Sequence, residues 1–173
     1  MEHGSAAQHN APMPTASRPG AEAMRLSWCP LELPLSHPWT IARGTSSAKR
    51  NALLRLEAEG PSASARRRRS ARYQQSYETA AAAFERIAAA LAGRSPWDRA
   101  DCWEAAARAT GDRAALAALD MALWDWRGKK LGKPVWQLLD VAPVPIAATS
   151  FSIGIAAPEA LREKVREARD FPS

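Results

Sequence analysis

Asp112-Arg-Ala-Ala-Leu-Ala-Ala-Leu-Asp-Met-Ala-Leu-Trp-Asp-Trp-Arg127 runs directly into Gly128-Lys-Lys-Leu-Gly-Lys-Pro134, and this stretch decides how the chain is organised. Leu116, Leu119, Leu123 and Trp126 recur at the spacing that lines one face of a helix. Pro134 then opens a short turn through Trp136 and Leu139. Asp120 and Asp125 lie inside the helix, five residues or about 500° apart at ordinary pitch, so they share no face. A structural role for each, such as pairing with a nearby arginine, is expected over paired-carboxylate chemistry.

Two more helices precede this one. Tyr77, Phe84, Ile87 and Leu91 share a face that ends at Gly93. In the next, Ser95 is expected as the cap, with Pro96 in the first turn and Asp98 favouring the positive end of the dipole. Further upstream, Leu26, Trp28, Leu31, Leu33 and Leu35 alternate with a slip at Pro30, which suits an irregular strand. Ala52–Ala58 reads as a second strand closing on Gly60, and the polar stretch Ser36–Arg50 between them as a long loop. Downstream, Val144–Ile153 reads as a buried strand and Pro158–Arg169 as a charged amphipathic helix, which is the opening unit of a parallel α/β arrangement.

Composition bounds the function classes. Of 173 residues, 46% are hydrophobic and 24% charged, an ordinary globular balance. The net charge is +6, and four of those positive charges lie in the single run Arg66–Arg69. That run either binds phosphate or forms a solvated or disordered loop; without interleaved aromatics, nucleic-acid binding is disfavoured. Cys29 and Cys102 are far apart, so free thiols are expected, with neither a disulfide nor a zinc site. No apolar run approaches the ~20 residues of a membrane span, and the first 23 residues lack a signal-peptide core, so a cytoplasmic location is expected. His37, beside Pro38, is expected to be a lone exposed histidine. The seven tryptophans are expected in the core and at domain interfaces.

Three segments carry a resemblance. Pro38-Trp-Thr-Ile-Ala-Arg-Gly-Thr45 resembles the first substrate-covering loop of dipeptide epimerases, in the muconate-lactonising branch of the enolase superfamily. Ala118–Asp125, with Gly128-Lys129, Leu131–Pro134 and Trp136–Leu139, is similar to that branch's cap-domain signature. Thr149–Gly154 resembles the first barrel strand of the epimerases.

The resemblance implies an α+β fold: a disordered leader over 1–23, an enolase-like N-terminal cap over 24–143, and over 144–173 the first βα unit of an incomplete (β/α) barrel. In that family a lysine removes the proton alpha to a carboxylate or carbonyl, and a divalent metal, usually magnesium, stabilises the enolate. Such a proton is too weakly acidic for a side-chain base unless the developing charge meets a cation. The substrate class implied is a small dipeptide of the Ala-Glu type. Muconate cycloisomerase and o-succinylbenzoate synthase are alternatives within the family, and a non-catalytic polyanion-binding protein is the alternative outside it. Family members are often homo-oligomers.

Arg43 is expected near the substrate mouth, where its fork could meet a carboxylate, or else as a surface loop arginine. Thr45 belongs to the same loop. Ser150 and Ser152 share a strand face, either toward the dipeptide or filling the barrel interior. No residue here is assigned a catalytic or metal-ligating role, and no cofactor is expected to bind this chain. The family's Lys-x-Lys would follow Pro172, and Lys129, Lys130 and Lys164 do not replace it. Gly60–Ser70 departs from the family's Val-Gly-x-Gly-Glu-Ala-Ala-Pro, and one codon choice for it read two bases later yields that pattern. A frameshifted, truncated remnant of an epimerase gene, or a sequencing error in an intact one, is therefore expected, with the chain inactive alone. Residues 144–173 are expected to be mobile, aggregation-prone or unfolded.

Overall fold

The computed structural model of the chain describes residues 24–68, 76–142 and 150–169. Strands β1 (Arg25–Ile41), β2 (Gly44–Glu57) and β3 (Ser62–Arg68) form an antiparallel sheet in the order β1-β2-β3. Helices α1 (Tyr77–Ala90), α2 (Arg99–Ala109), α3 (Arg113–Leu131), α4 (Val135–Leu138) and α5 (Pro158–Arg169) follow. The fold class is α+β, as expected. The leader and residues 144–149 of the expected barrel strand lie outside the described residues. Residues 150–157, which are described, are irregular rather than strand.

The core lies between the sheet and helices α1 and α3, which pack on β1–β2 and β2–β3 respectively. Alternation along β2 sends Ala52, Leu54 and Leu56 inward, and the neighbouring strand answers with Ala63, Ala65 and Arg67. Small residues on α1, α2 and α3 (Ala83, Ala106, Ala118 among them) let the helices approach closely around Phe84, Ile87, Leu119 and Trp126. Trp126 meets Trp97 edge-on with centroids 4.9 Å apart, and its indole N–H donates to the Ala58 carbonyl at 2.8 Å. That donation satisfies the buried indole N–H.

Four expectations change. Ser36–Arg50 is not a long loop: β1 and β2 pair to the tip, and the connection is the two residues Ala42 and Arg43 before Gly44 at φ +132. Cross-strand pairing carries Trp39–Ile41 and Gly44–Ser46 at the tip and resumes at Ala48, which the polar composition did not announce. The irregularity in β1 lies between Pro34 and Trp39, while Pro30 stays in register with Ala52. Helix α2 is capped by Asp98, not Ser95; the Asp98 carboxylate accepts from the Asp101 amide at 3.0 Å. Ser95 instead makes the turn before it, accepting from the Asp98 amide at 3.1 Å.

The Arg66–Arg69 run is the largest correction. Arg66, Arg67 and the Arg68 backbone are strand, not solvated loop, and Arg67 is only 1% exposed. Its guanidinium is ion-paired with Asp112 and donates to the Ser76 carbonyl at 3.4 Å. Its Nε has no hydrogen-bond partner among the described residues. Asp112 also caps α3, accepting from the amides of Ala114 and Ala115 at 3.0 Å each. Burial pushes its carboxyl upward, but the Arg67 hydrogen bond and the two amides outweigh that and hold it below the usual carboxylate range. Ladder pairing with β2 carries this short Ser/Ala/Arg strand, whose period-two pattern has no bulky apolar residue to display it.

Asp120 and Asp125 take the structural roles expected. Asp120 accepts from Arg99 at 2.8 Å, and Asp125 accepts from Lys129 at 2.7 Å and from the Ser64 amide at 3.2 Å. Cys29 and Cys102 are both free thiols. Burial, with smaller contributions from Asp101 and Asp98, pushes the Cys102 thiol up to about 11.

Candidate functional site

Between Pro34 and Trp39 four residues of β1, 35–38, stand opposite the single Ser47 of β2. Excess residues on one strand bend it and re-aim its side chains. Leu35, Ser36, His37 and Pro38 all turn into one cleft of about 480 Å³, whose far wall is Phe151, Ser152 and Ile153. Lys49 on β2 and Lys164 on α5 also line it. The volume is that of a small-molecule site, with apolar walls and a few polar groups.

Three contacts hold the two walls together. The Ile155 amide donates to the Thr40 carbonyl at 2.9 Å. Gly154 lies so close to that backbone that a Cβ would sit 3.0 Å from the Thr40 carbonyl and 3.1 Å from its nitrogen. His37 Nε2 meets Glu167 Oε2 at 2.9 Å, so the histidine is exposed but not alone. The Thr40 and Thr45 hydroxyls bond to each other at 2.9 Å across the hairpin, tightening its tip.

Of the four expected site residues, Ser152 lines the cleft. Arg43 is exposed at the hairpin turn, Thr45 is exposed and tied to Thr40, and Ser150 is exposed on irregular chain; none of these three is a lining residue. The other lining residues, His37, Trp39, Lys49, Phe151, Lys164 and Glu167, come from four separated segments. A partial signal existed: Lys164 and Glu167 are three apart on one helix and so share a face. Among the described residues no three His, Cys, Asp or Glu side chains come together to hold a metal ion. No helix among the described residues is long and apolar enough to cross a membrane.

Comparison with known proteins supplies the rest. Residues 29–140 match the mandelate racemase / muconate lactonizing enzyme N-terminal domain. The chain is 30% identical over 164 residues to an L-Ala-D/L-amino acid epimerase of Pedosphaera parvula, covering 86% of this chain and 44% of that protein. A hydrophobic dipeptide epimerase of Roseobacter litoralis is 45% identical over 65 residues, covering 38% of this chain and 19% of that protein. A dipeptide epimerase structure from Cytophaga hutchinsonii, complexed with Mg and the dipeptide D-Ala-L-Val, superposes with a TM-score of 0.75 at 17% identity. That superposition spans 85% of this chain and 40% of the other, and it establishes likeness of fold. The chain thus spans less than half the length of these relatives.

Proposed function

The chain belongs to the mandelate racemase/muconate lactonizing enzyme family, whose N-terminal domain it carries over residues 29–140, and we propose that it is the substrate-covering part of a dipeptide epimerase. In this reading residues 24–143 are the cap and 144–173 begin the barrel. The hairpin tip, with Arg43 and Thr45, faces a small dipeptide of the Ala-Glu type, and Ser150 and Ser152 approach it from the other side. The observation that carries the reading is the cleft itself, which residues 35–38 of the bulge line together with Ser152.

The 173 residues contain no Lys-x-Lys, and none of the described acidic groups cluster to take a cation. In this reading the chain shapes and covers the site. The epimerase relatives support the dipeptide substrate. The family's muconate lactonizing members supply the competing substrate, a dicarboxylate without an ammonium group. Burial of Arg67 inside the sheet interrupts the cationic run, which weighs against polyanion binding.

The test is deuterium incorporation at the alpha carbon of L-Ala-L-Glu in D2O with magnesium, followed by proton NMR. The chain alone is expected to give none. With the C-terminal portion of the Pedosphaera parvula relative supplied as a second polypeptide, exchange is expected. Exchange by the chain alone, or muconate cycloisomerisation by the pair without dipeptide exchange, overturns the reading.

A further inference from the structure

The cleft between the hairpin and α5 carries an uneven charge. Four of its lining residues titrate: His37, Lys49, Lys164 and Glu167. The one carboxylate among them is engaged by His37 at 2.9 Å. Among the described residues neither Lys49 nor Lys164 makes an ion pair, and Glu163, the neighbour of Lys164, is held by Arg166. Two ammonium groups therefore stand against one carboxylate that is already partnered. A cleft of one sign with low-dielectric walls concentrates ions of the other. Arg43, from which a carboxylate contact was expected, lies outside the lining.

The placement of the lysines divides the cleft into two parts. Lys49 is exposed on β2, and Lys164 is half-buried on α5, so the two cations come from opposite sides. A lysine beside an apolar wall lays its stem along that wall and keeps its head in water. The ammonium groups thus belong at the mouth, and the walls of Leu35, Trp39, Phe151 and Ile153 belong to the interior. We propose that the cleft selects a ligand with a branched apolar body and a carboxylate, the body against those four walls and the carboxylate met by Lys49 and Lys164. This deepens the dipeptide reading and rests on it for the ligand: the preferred dipeptide joins a branched apolar residue to an acidic one, and is larger than Ala-Glu. Such a dipeptide offers two carboxylates, on the side chain and at the C-terminus, and the same ammonium chemistry serves either.

The full chain is titrated at low salt with L-Leu-L-Glu, and binding is followed by amide chemical shifts. Saturable shifts are expected at 35–39 and 151–154. L-Ala-L-Glu is expected to bind at least ~10-fold more weakly, as an underfilled apolar pocket requires. L-Leu-L-Gln amide, which has neither carboxylate, is expected to bind about 10-fold more weakly than L-Leu-L-Glu, the sum of two exposed ion pairs. Lys49→Gln and Lys164→Gln are each expected to weaken L-Leu-L-Glu about threefold while leaving L-Leu-L-Gln amide unchanged, an effect that mere distortion of the cleft would not give. L-Leu-L-Gln and the C-terminal amide of L-Leu-L-Glu then separate the sources, because only the one that keeps the recognised carboxylate keeps the lysine dependence. Absence of saturable binding, shifts confined to other regions, equal affinity for L-Leu-L-Glu and L-Leu-L-Gln amide, no gain of leucine over alanine, or discrimination that survives both substitutions overturns the inference. Lysine-dependent binding with no deuterium exchange in the two-polypeptide assay leaves the inference standing and removes the epimerase reading. Exchange that is indifferent to both lysines does the reverse.

Discussion

Helices α3 and α5 show how differently two helices of one chain can use their apolar residues. Helix α5 keeps Leu161 and Val165 on one side and charges on the other, yet it buries nothing. Helix α3 is almost apolar throughout its first four turns, and eight of its nineteen residues are buried beneath the sheet and the other helices. The difference is supply of partners. β2 and β3 form a floor under α3, whereas α5 meets the hairpin among the described residues, through the His37–Glu167 pair and the wall of the cleft. Amphipathic pattern nominates a face, and burial requires a second surface to put it against.

The comparison breaks hardest at Asp112. Asp112→Ala removes the cap of α3 and strands the buried Arg67 guanidinium, so a loss of about 3–5 kcal/mol is expected in urea unfolding. Arg67→Met, which withdraws the charge as well, is expected to cost less. Trp126→Phe leaves the buried Ala58 carbonyl without its donor, for an expected loss of about 1–3 kcal/mol. A loss at either site no larger than at Leu161→Asp on α5, expected within about 0.5 kcal/mol of zero, would show that the two helices are not distinguished by burial.

The pH dependence sharpens the same contrast. The Asp112 carboxyl is held below its ordinary value of 3.8, so its contribution is fully present above that value. It is lost as pH falls through the lowered folded-state value, and Asp112→Asn should flatten the acid limb of a stability–pH curve. The Cys102 thiol is raised from 9.0 to about 11, so its contribution is fully present below pH 9.0 and is lost as pH climbs toward 11. Alkylation at pH 8 should therefore label exposed Cys29 quickly and Cys102 only as fast as the protein unfolds. Equal rates would contradict the buried placement of α2.

At the α5 end the expected effects are local. Gly154→Ala forces the Thr40 backbone to give way. Faster exchange of the Ile155 amide is expected, with little change in global unfolding. The smallest effect is His37→Gln, under about 1 kcal/mol for an exposed pair, read as a chemical-shift change confined to 35–39 and α5. A cooperative loss of α3 signals with either variant would join the two regions into one unit.

Regular periodicity made much of the fold readable in advance. The apolar faces of α1 and α3, the strand over 52–58 and the structural roles of Asp120 and Asp125 follow from residue spacing alone. So does the family, through Ala118–Pro134 and its neighbours, because helix-facing positions and glycine stops lie close together in the chain. Three features waited for the tertiary structure. The hairpin reaches its tip because β2 is there to pair with Trp39, Thr40 and Ile41 beyond the bulge, a contact no local preference encodes. Arg67 turns inward because Asp112, 45 positions away, arrives to neutralise it. The cleft collects 35–39, Lys49, 151–154 and α5, so only Ser152 of the expected site residues could be placed in it. Sequence determines what each segment prefers over a few turns or strand residues. Long-range pairing and ion neutralisation decide where a charged or polar segment can afford to go, because their free energy exists only once the distant partner is in place.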